Sequence, residues 1–298
     1  MKTVLDSLGS VFAIIAALAV VAGMMLFLLK SSRDRWRKRF REPFHEGILR
    51  PPGWGCLEMR HDAMFDLAGF AGMLPTLWAG LAYVIITDRG PIMIGCLLTG
   101  LPLTVVGLDT MRRSALKART ARLGFLGECA VAEALVPLGA CGWRVFHDLP
   151  MESKGRKFNI DHVAVGPGGV WAIETKSYSK PKEVKGSGNG LRIEGSLIVF
   201  PDGTRKSPLK QAAGQAAALR DRLRGEGVGP GFVEPMVVLP GWNVGYGKNA
   251  DMKIRDPRNV VALLSKQATT MSEQEVEEIA KVLEQWCRVL RFDEEEEK

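Results

Sequence analysis

The chain has 298 residues, room for one or two domains, with a formal net charge of +7 and five cysteines. The positive balance suits a negatively charged partner, phosphate backbone or anionic lipid, and does not choose between them. Cys56, Cys96, Cys129, Cys141 and Cys287 form no CxxC pair and no Cys/His cluster at zinc spacing, so the pattern excludes a zinc module and predicts free thiols in a reducing compartment.

Leu8 to Leu29 carries no charge. At about 1.5 Å per residue it spans a ~30 Å hydrocarbon core, and it is too long for the apolar segment of a cleaved signal peptide. The basic run that follows, Lys30 to Arg41, belongs on the cytoplasmic side. Leu67 to Thr87 and Pro91 to Leu108 are also uncharged, joined by Asp88-Arg89-Gly90 and followed by Arg112, Arg113, Lys117, Arg119 and Arg122. Three spans put both basic flanks on one side, the cytoplasm, in a multi-pass protein of the cell (inner) membrane. A re-entrant hairpin over 65–110 leaves that sidedness unchanged. Glycines such as Gly72, Gly80 and Gly100 permit close helix packing, and with it an oligomer that nothing else identifies. His45 and His61, in the loop after the first span, receive no role. The expected division is a first transmembrane helix over 1–29, a basic loop over 30–64, a helical hairpin over 65–110, a cytoplasmic domain over 115–292 and an acidic tail over 293–298.

From about residue 115 the pattern is that of a soluble α/β domain. Apolar spacing predicts a helix from Leu123 to Leu138, and strands over Trp143–Asp148, Ile160–Val165 and Val170–Thr175. Met151 to Phe158 reads as a polar, basic loop. Short strands follow at Leu191–Ile193 and Ser196–Phe200, then an amphipathic helix from Pro208 to Arg224, a strand from Phe232 to Leu239 and a further strand at Asn259–Leu264. Ser272 with Glu275 marks a capping box and the start of a last helix, to about Leu290. Lys180 to Gly190 reads as a mobile loop.

The chemistry concentrates between Asn159 and Lys176. A hairpin turning at Gly166-Pro167-Gly168-Gly169 sets Val165 opposite Val170 and, in the same register, Asp161 opposite Glu174. Their Cβ atoms are then about 5 Å apart, and two like charges so placed repel. A raised pKa with a shared proton relieves this, and so does a hard divalent cation. Lys176, on the same face, offsets one charge and can position or help activate a water. Acid, acid and lysine around a hard cation suit phosphodiester hydrolysis. Lys154, Arg156 and Lys157 before the first carboxylate, and Lys180, Lys182 and Lys185 after the motif, are candidate phosphate contacts. Trp171 and Ile173 point to the other face, and His162 with them, as a structural histidine; Cys129 and Cys141 are expected to be packed.

Four groups of residues carry a family likeness: Gly127-Glu128, Asn159-Ile160-Asp161-His162-Val163, Gly166-Pro167-Gly168-Gly169-Val170 and Ile173-Glu174-Thr175-Lys176. With Ser207-Pro208 and Gln211 they resemble the NERD (nuclease-related) domain of the PD-(D/E)XK nuclease superfamily, over about residues 120 to 245. Ser207-Pro208 stands where Asn-Pro is expected. The resemblance implies an α/β restriction-endonuclease-like core, a mixed sheet flanked by helices, here preceded by the transmembrane helical region. It implies Asp161 and Glu174 as metal ligands, Lys176 as the motif lysine, Glu128 as a supporting metal-site acid at a helix start, and Gln211 as a catalytic-site glutamine.

The expected function is a membrane-anchored, Mg²⁺- or Mn²⁺-dependent nuclease acting on nucleic acid, DNA before RNA, at the cytoplasmic face. The alternative is a catalytically inactive nuclease-fold protein that binds nucleic acid or serves as a membrane scaffold. A transporter is disfavoured, because the spans carry no charge to mark an ion path.

Overall fold

The computed structural model describes residues 48–86, 90–153, 155–180, 190–229, 231–247, 250–251 and 253–288. The expected first span, the basic run to Arg41, His45, the Asp88-Arg89 turn, Lys154, Lys182, Lys185 and the acidic tail lie outside the described residues. The described chain forms two compact units, 61–118 and 48–60 together with 119–288.

In the first unit both apolar stretches are helical. Leu67–Ile86 lies within α1, Trp54–Ile86, and Pro91–Leu108 within α2, Gly90–Leu135. Gly107 lets the two helices meet, since a Cβ there would lie 3.3 Å from the Leu74 side chain. Pro102 sits inside α2. Leu98, Leu101, Leu103, Val105, Val106 and Leu108 are all more than half exposed. Among the described residues one helix, Gly100–Cys141, is long and apolar enough to cross a membrane by length and composition.

The second unit is built on a mixed five-stranded sheet in the order β1-β2-β3-β7-β9. Its strands are β1 (Arg144–Ser153), β2 (Arg156–Gly166), β3 (Gly169–Thr175), β7 (Val233–Val238) and β9 (Ile254–Arg255). The first three are antiparallel neighbours, and β7 and β9 run parallel to β3. Side-chain alternation gives the sheet two apolar faces. Val163, Val165, Val170 and Ala172 pack with α3 (Leu209–Gly225) and α5 (Glu273–Cys287). Ala164, Trp171 and Ile173 pack with the end of α2, the 3₁₀ turn Val136–Cys141 and α4 (Pro257–Leu264). A smaller sheet of β4 (Gly190–Glu194), β5 (Leu197–Val199), β6 (Arg205–Lys206) and β8 (Asn243–Tyr246) has its own core around Leu191, Ile193, Ile198 and Trp242.

Four local expectations change. Residues 151–158 are not a loop: β1 and β2 continue as a ladder to Ser153 and Arg156. Asn259–Leu264 is helix rather than strand. Its β-branched valines suggest a strand, but Asp256 caps the helix through Arg258 N–H and Pro257 stands at its first position. Gly127-Glu128 does not start a helix but lies inside the 46-residue α2, because the basic stretch after Leu108 is helical too. Cys141 is exposed rather than packed. The capping box at Ser272 and Glu275 forms as expected.

Candidate active site

The hairpin register is the expected one. Val165 pairs with Val170 and His162 with Ile173. The backbone ladder ends there, at the level where Asp161 and Glu174 follow on the two strands. Asp161 turns one oxygen onto the main chain instead: Oδ2 accepts the Thr175 N–H at 2.7 Å. Glu174 is almost fully buried. Its Oε1 accepts from Gln211 Nε2 at 2.9 Å and from the Lys176 ammonium at 2.6 Å. Glu174 Oε2 is buried with no partner among the described residues.

Gln211 reaches Glu174 from the first turns of α3, and one turn later Gln215 donates to the Asn159 carbonyl at 3.4 Å. Gln215 is a site residue that the sequence reading does not find. Its only signal is the i, i+4 spacing from Gln211 on the buried stripe. His162 is completely buried on the opposite face. Its Nδ1 faces His147 Nδ1 at 2.8 Å, and its Nε2 lies 3.1 Å from Thr175 Oγ1. Burial depresses both imidazoles, His147 to about 4. His162, one of a neutral pair with His147, therefore holds Thr175, whose N–H holds Asp161.

Glu128 arrives from α2. Gly127 makes the approach possible, because a Cβ there would sit 1.7 Å from Ser177 Oγ. A segment far upstream completes this corner. The Cys56 thiol donates to Glu128 Oε1 at 3.1 Å. Arg50 pairs with Asp148 at 2.8 Å, and Gly55 N–H and Asn159 Nδ2 donate to the other Asp148 oxygen at 3.2 and 3.1 Å. Asp148 takes a left-handed conformation, φ +49, in the middle of β1, and is buried. Neither Asp148 nor the segment 48–58 stands out in sequence as part of the site. A buried acid inside a strand and a distant strap leave no local pattern.

The carboxylates feel one another. Glu128 is pushed up to about 7, chiefly by burial and also by Asp148 and Glu174, while the Cys56 hydrogen bond opposes the rise. Asp161 is held well above the ordinary carboxylate range by burial, then by Glu174 and Glu128. Burial works against the Lys176 charge, but Glu174 outweighs it and the ammonium is held more firmly than usual. Burial raises the Cys56 thiol, and so does Glu128, so Cys56 is a neutral donor.

Among the described residues no three His, Cys, Asp or Glu side chains are grouped to hold a metal ion. Thr175, Gln211, Lys176 and Cys56 already engage one oxygen each of Asp161, Glu174 and Glu128. The donor set still fits a hard cation with few protein ligands. It is all oxygen, its carboxylates outnumber Lys176, and among the described residues Glu174 Oε2 is an orphan that a cation or its water would satisfy. Of the basic candidates, Lys180 follows Lys176 by four residues. Exposed Arg156 and Lys157 stand about 16 and 13 Å along β2 from Asp161 at ~3.3 Å per residue, so they do not gather at the carboxylates.

Residues 123–240 match the family model of NERD, the nuclease-related domain. Neither a curated protein nor a solved structure matches the chain. That segment is thus similar to a nuclease-related domain. The matched segment includes Glu128, Asp148, Asp161, Glu174, Lys176 and Gln211, whereas Arg50, Gly55 and Cys56 lie outside it.

Proposed function

We propose that this protein is a membrane-anchored, divalent-metal-dependent nuclease whose site is built on Asp161, Glu174, Glu128 and Lys176. The observation that carries the reading is half-buried Asp161 and buried Glu174 beside Lys176, with Glu174 Oε2 unpartnered among the described residues, inside the segment that matches the nuclease-related domain. Asp161 and Glu174 would hold Mg²⁺ or Mn²⁺, with Glu128 in support. A bound cation would supply Lewis-acid stabilisation of charge on the scissile phosphate and lower the pKa of water there.

The chain's own groups have separable tasks. Gln211 fixes Glu174, and the Thr175 N–H fixes Asp161. Lys176, firmly protonated against Glu174, is a positioning and charge-stabilising group rather than a proton acceptor. Membrane anchoring rests on the apolar helices and their exposed leucines and valines. A cytoplasmic site rests on the basic flanks.

The test is phosphodiester cleavage by the full chain in detergent, with Mg²⁺ or Mn²⁺ and then with EDTA. Cleavage should need the metal and disappear in Asp161→Ala. Gln211→Ala, which removes the orienting hydrogen bond, should lower the rate about 10–100-fold. Equal activity in wild type and Asp161→Ala would remove the assignment.

A further inference from the structure

Tyr178 lies two residues beyond Lys176 and begins a cluster of aromatic rings at the edge of the small sheet. Its ring meets Phe200 edge-on, centroids 5.0 Å apart, and Phe200 meets Trp242 the same way at 5.7 Å. The Trp242 indole N–H donates to the Tyr178 carbonyl at 3.1 Å, which fixes the chain just after the motif. Two lysines rest on these rings. The Lys206 ammonium stands 4.3 Å from the Tyr178 centroid and 5.5 Å from that of Phe200, and the Lys180 ammonium stands 5.3 Å from that of Trp242.

The rings are packed against the core of the small sheet, so a purely structural role accounts for them. It does not account for the lysines. Both are exposed, and among the described residues neither has a carboxylate at ion-pair distance. Asp202 feels Lys206 only at longer range. Cation–π contact holds a flexible ammonium in place at little desolvation cost. Both positions are also near site residues along the chain. Lys180 follows Lys176 by four residues, and Lys206 lies just before the helix whose Gln211 binds Glu174. The Tyr178 hydroxyl senses both Lys176 and Glu174.

We infer that Lys180 and Lys206, seated on Tyr178, Phe200 and Trp242, form the surface that grips the phosphates of the nucleic-acid strand entering the site. This rests on the nuclease reading and goes beyond it. Lys206 comes from a hairpin that sequence reasoning does not connect to the chemistry. The binding path runs from the carboxylates toward the small sheet, away from Arg156 and Lys157.

The experiment measures anisotropy of labelled single-stranded and duplex oligonucleotides with the full chain in detergent and EDTA, over a salt series, alongside cleavage in Mg²⁺. Lys206→Ala and Lys180→Ala should each weaken binding several-fold. Each should reduce the slope of log K against log salt by about 0.7 on single strands, or about 0.9 on duplex. Lys206→Arg should retain binding, and Lys281→Ala, at an exposed position of α5, should match wild type. If the double alanine variant keeps the wild-type slope while Asp161→Ala still abolishes cleavage, the surface is overturned and the nuclease reading stands. If the slope falls but no metal supports cleavage, the surface stands and the catalytic reading fails. If wild type neither binds nor cuts any oligonucleotide, both fail.

Discussion

A carboxylate withdrawn from water keeps its proton to higher pH, and Glu128 is held at about 7 against an ordinary 4.5. The folded state therefore binds that proton more tightly than the unfolded chain. Stability contributed by this group is complete below about pH 4.5 and is lost as pH rises through about 7. Asp161, raised by burial and its neighbours, acts in the same direction. The histidine pair acts the opposite way: its depressed imidazoles cost stability as pH falls below the ordinary 6.5. Because these effects overlap, the difference between variants is more informative than a single profile. Without divalent metal, Glu128→Gln should gain stability relative to wild type between about pH 5 and pH 8, by at most about 3 kcal/mol. Saturating Mg²⁺ should shrink the gain. Thermal melts at the two pH values check this, and an unchanged difference would show that Glu128 ionises normally.

At the scale of elements, the segment before α1 and the first turn of that helix matter most. Residues 48–58 add no strand to the main sheet, yet they hold Asp148 on β1 and Glu128 on α2. Leu49 bridges to Arg288, Arg50 N–H donates to the Cys287 carbonyl, and the Arg50 guanidinium meets buried Asp148. Arg50→Ala strands that carboxylate, and losing one partner of a buried pair costs about 3–5 kcal/mol, less here because Arg50 is partly exposed. The melting temperature of the full chain should fall clearly in Arg50→Ala and recover in part when Asp148→Asn removes the stranded charge. No recovery would mean that the strap acts through packing alone.

The same strap marks the limit of what the sequence reveals. The β2–β3 hairpin is legible because a glycine-proline turn and period-2 alternation set its register, and with it the placement of Asp161, Glu174 and Lys176. Gln211 follows because a family pattern points to it on an amphipathic helix. Asp148 and Cys56 are not legible. Their roles depend on contacts across 98 and 72 residues of chain, and no local periodicity encodes those. The short β6, β8 and β9 strands are missed for a related reason: so few residues show no alternation, and the neighbouring core recruits them.

For the whole molecule, composition divides where function does. Apolar residues crowd 61–108, while the carboxylates, the strap and the nuclease-related match lie in the other unit. Six leucines and valines between Leu98 and Leu108 stand exposed, and burying each in lipid instead of water is worth about 1.5–3 kcal/mol. Arg112, Arg113, Lys117, Arg119 and Arg122 follow directly, and such a cluster resists translocation. The proposed topology would put the site in the cytoplasm, with intracellular nucleic acid as its substrate. Cys141 is a natural reporter of that side, since its thiol is exposed while Cys287 is buried and Cys56 and Cys129 are partly covered. A membrane-impermeant maleimide should leave Cys141 unlabelled in intact cells and label it once the membrane is opened, with Cys141→Ser giving the background. Cys141-dependent labelling of intact cells would place the nuclease-related domain outside and reverse the topology. Recovery of the full chain in the soluble fraction would instead remove the anchor.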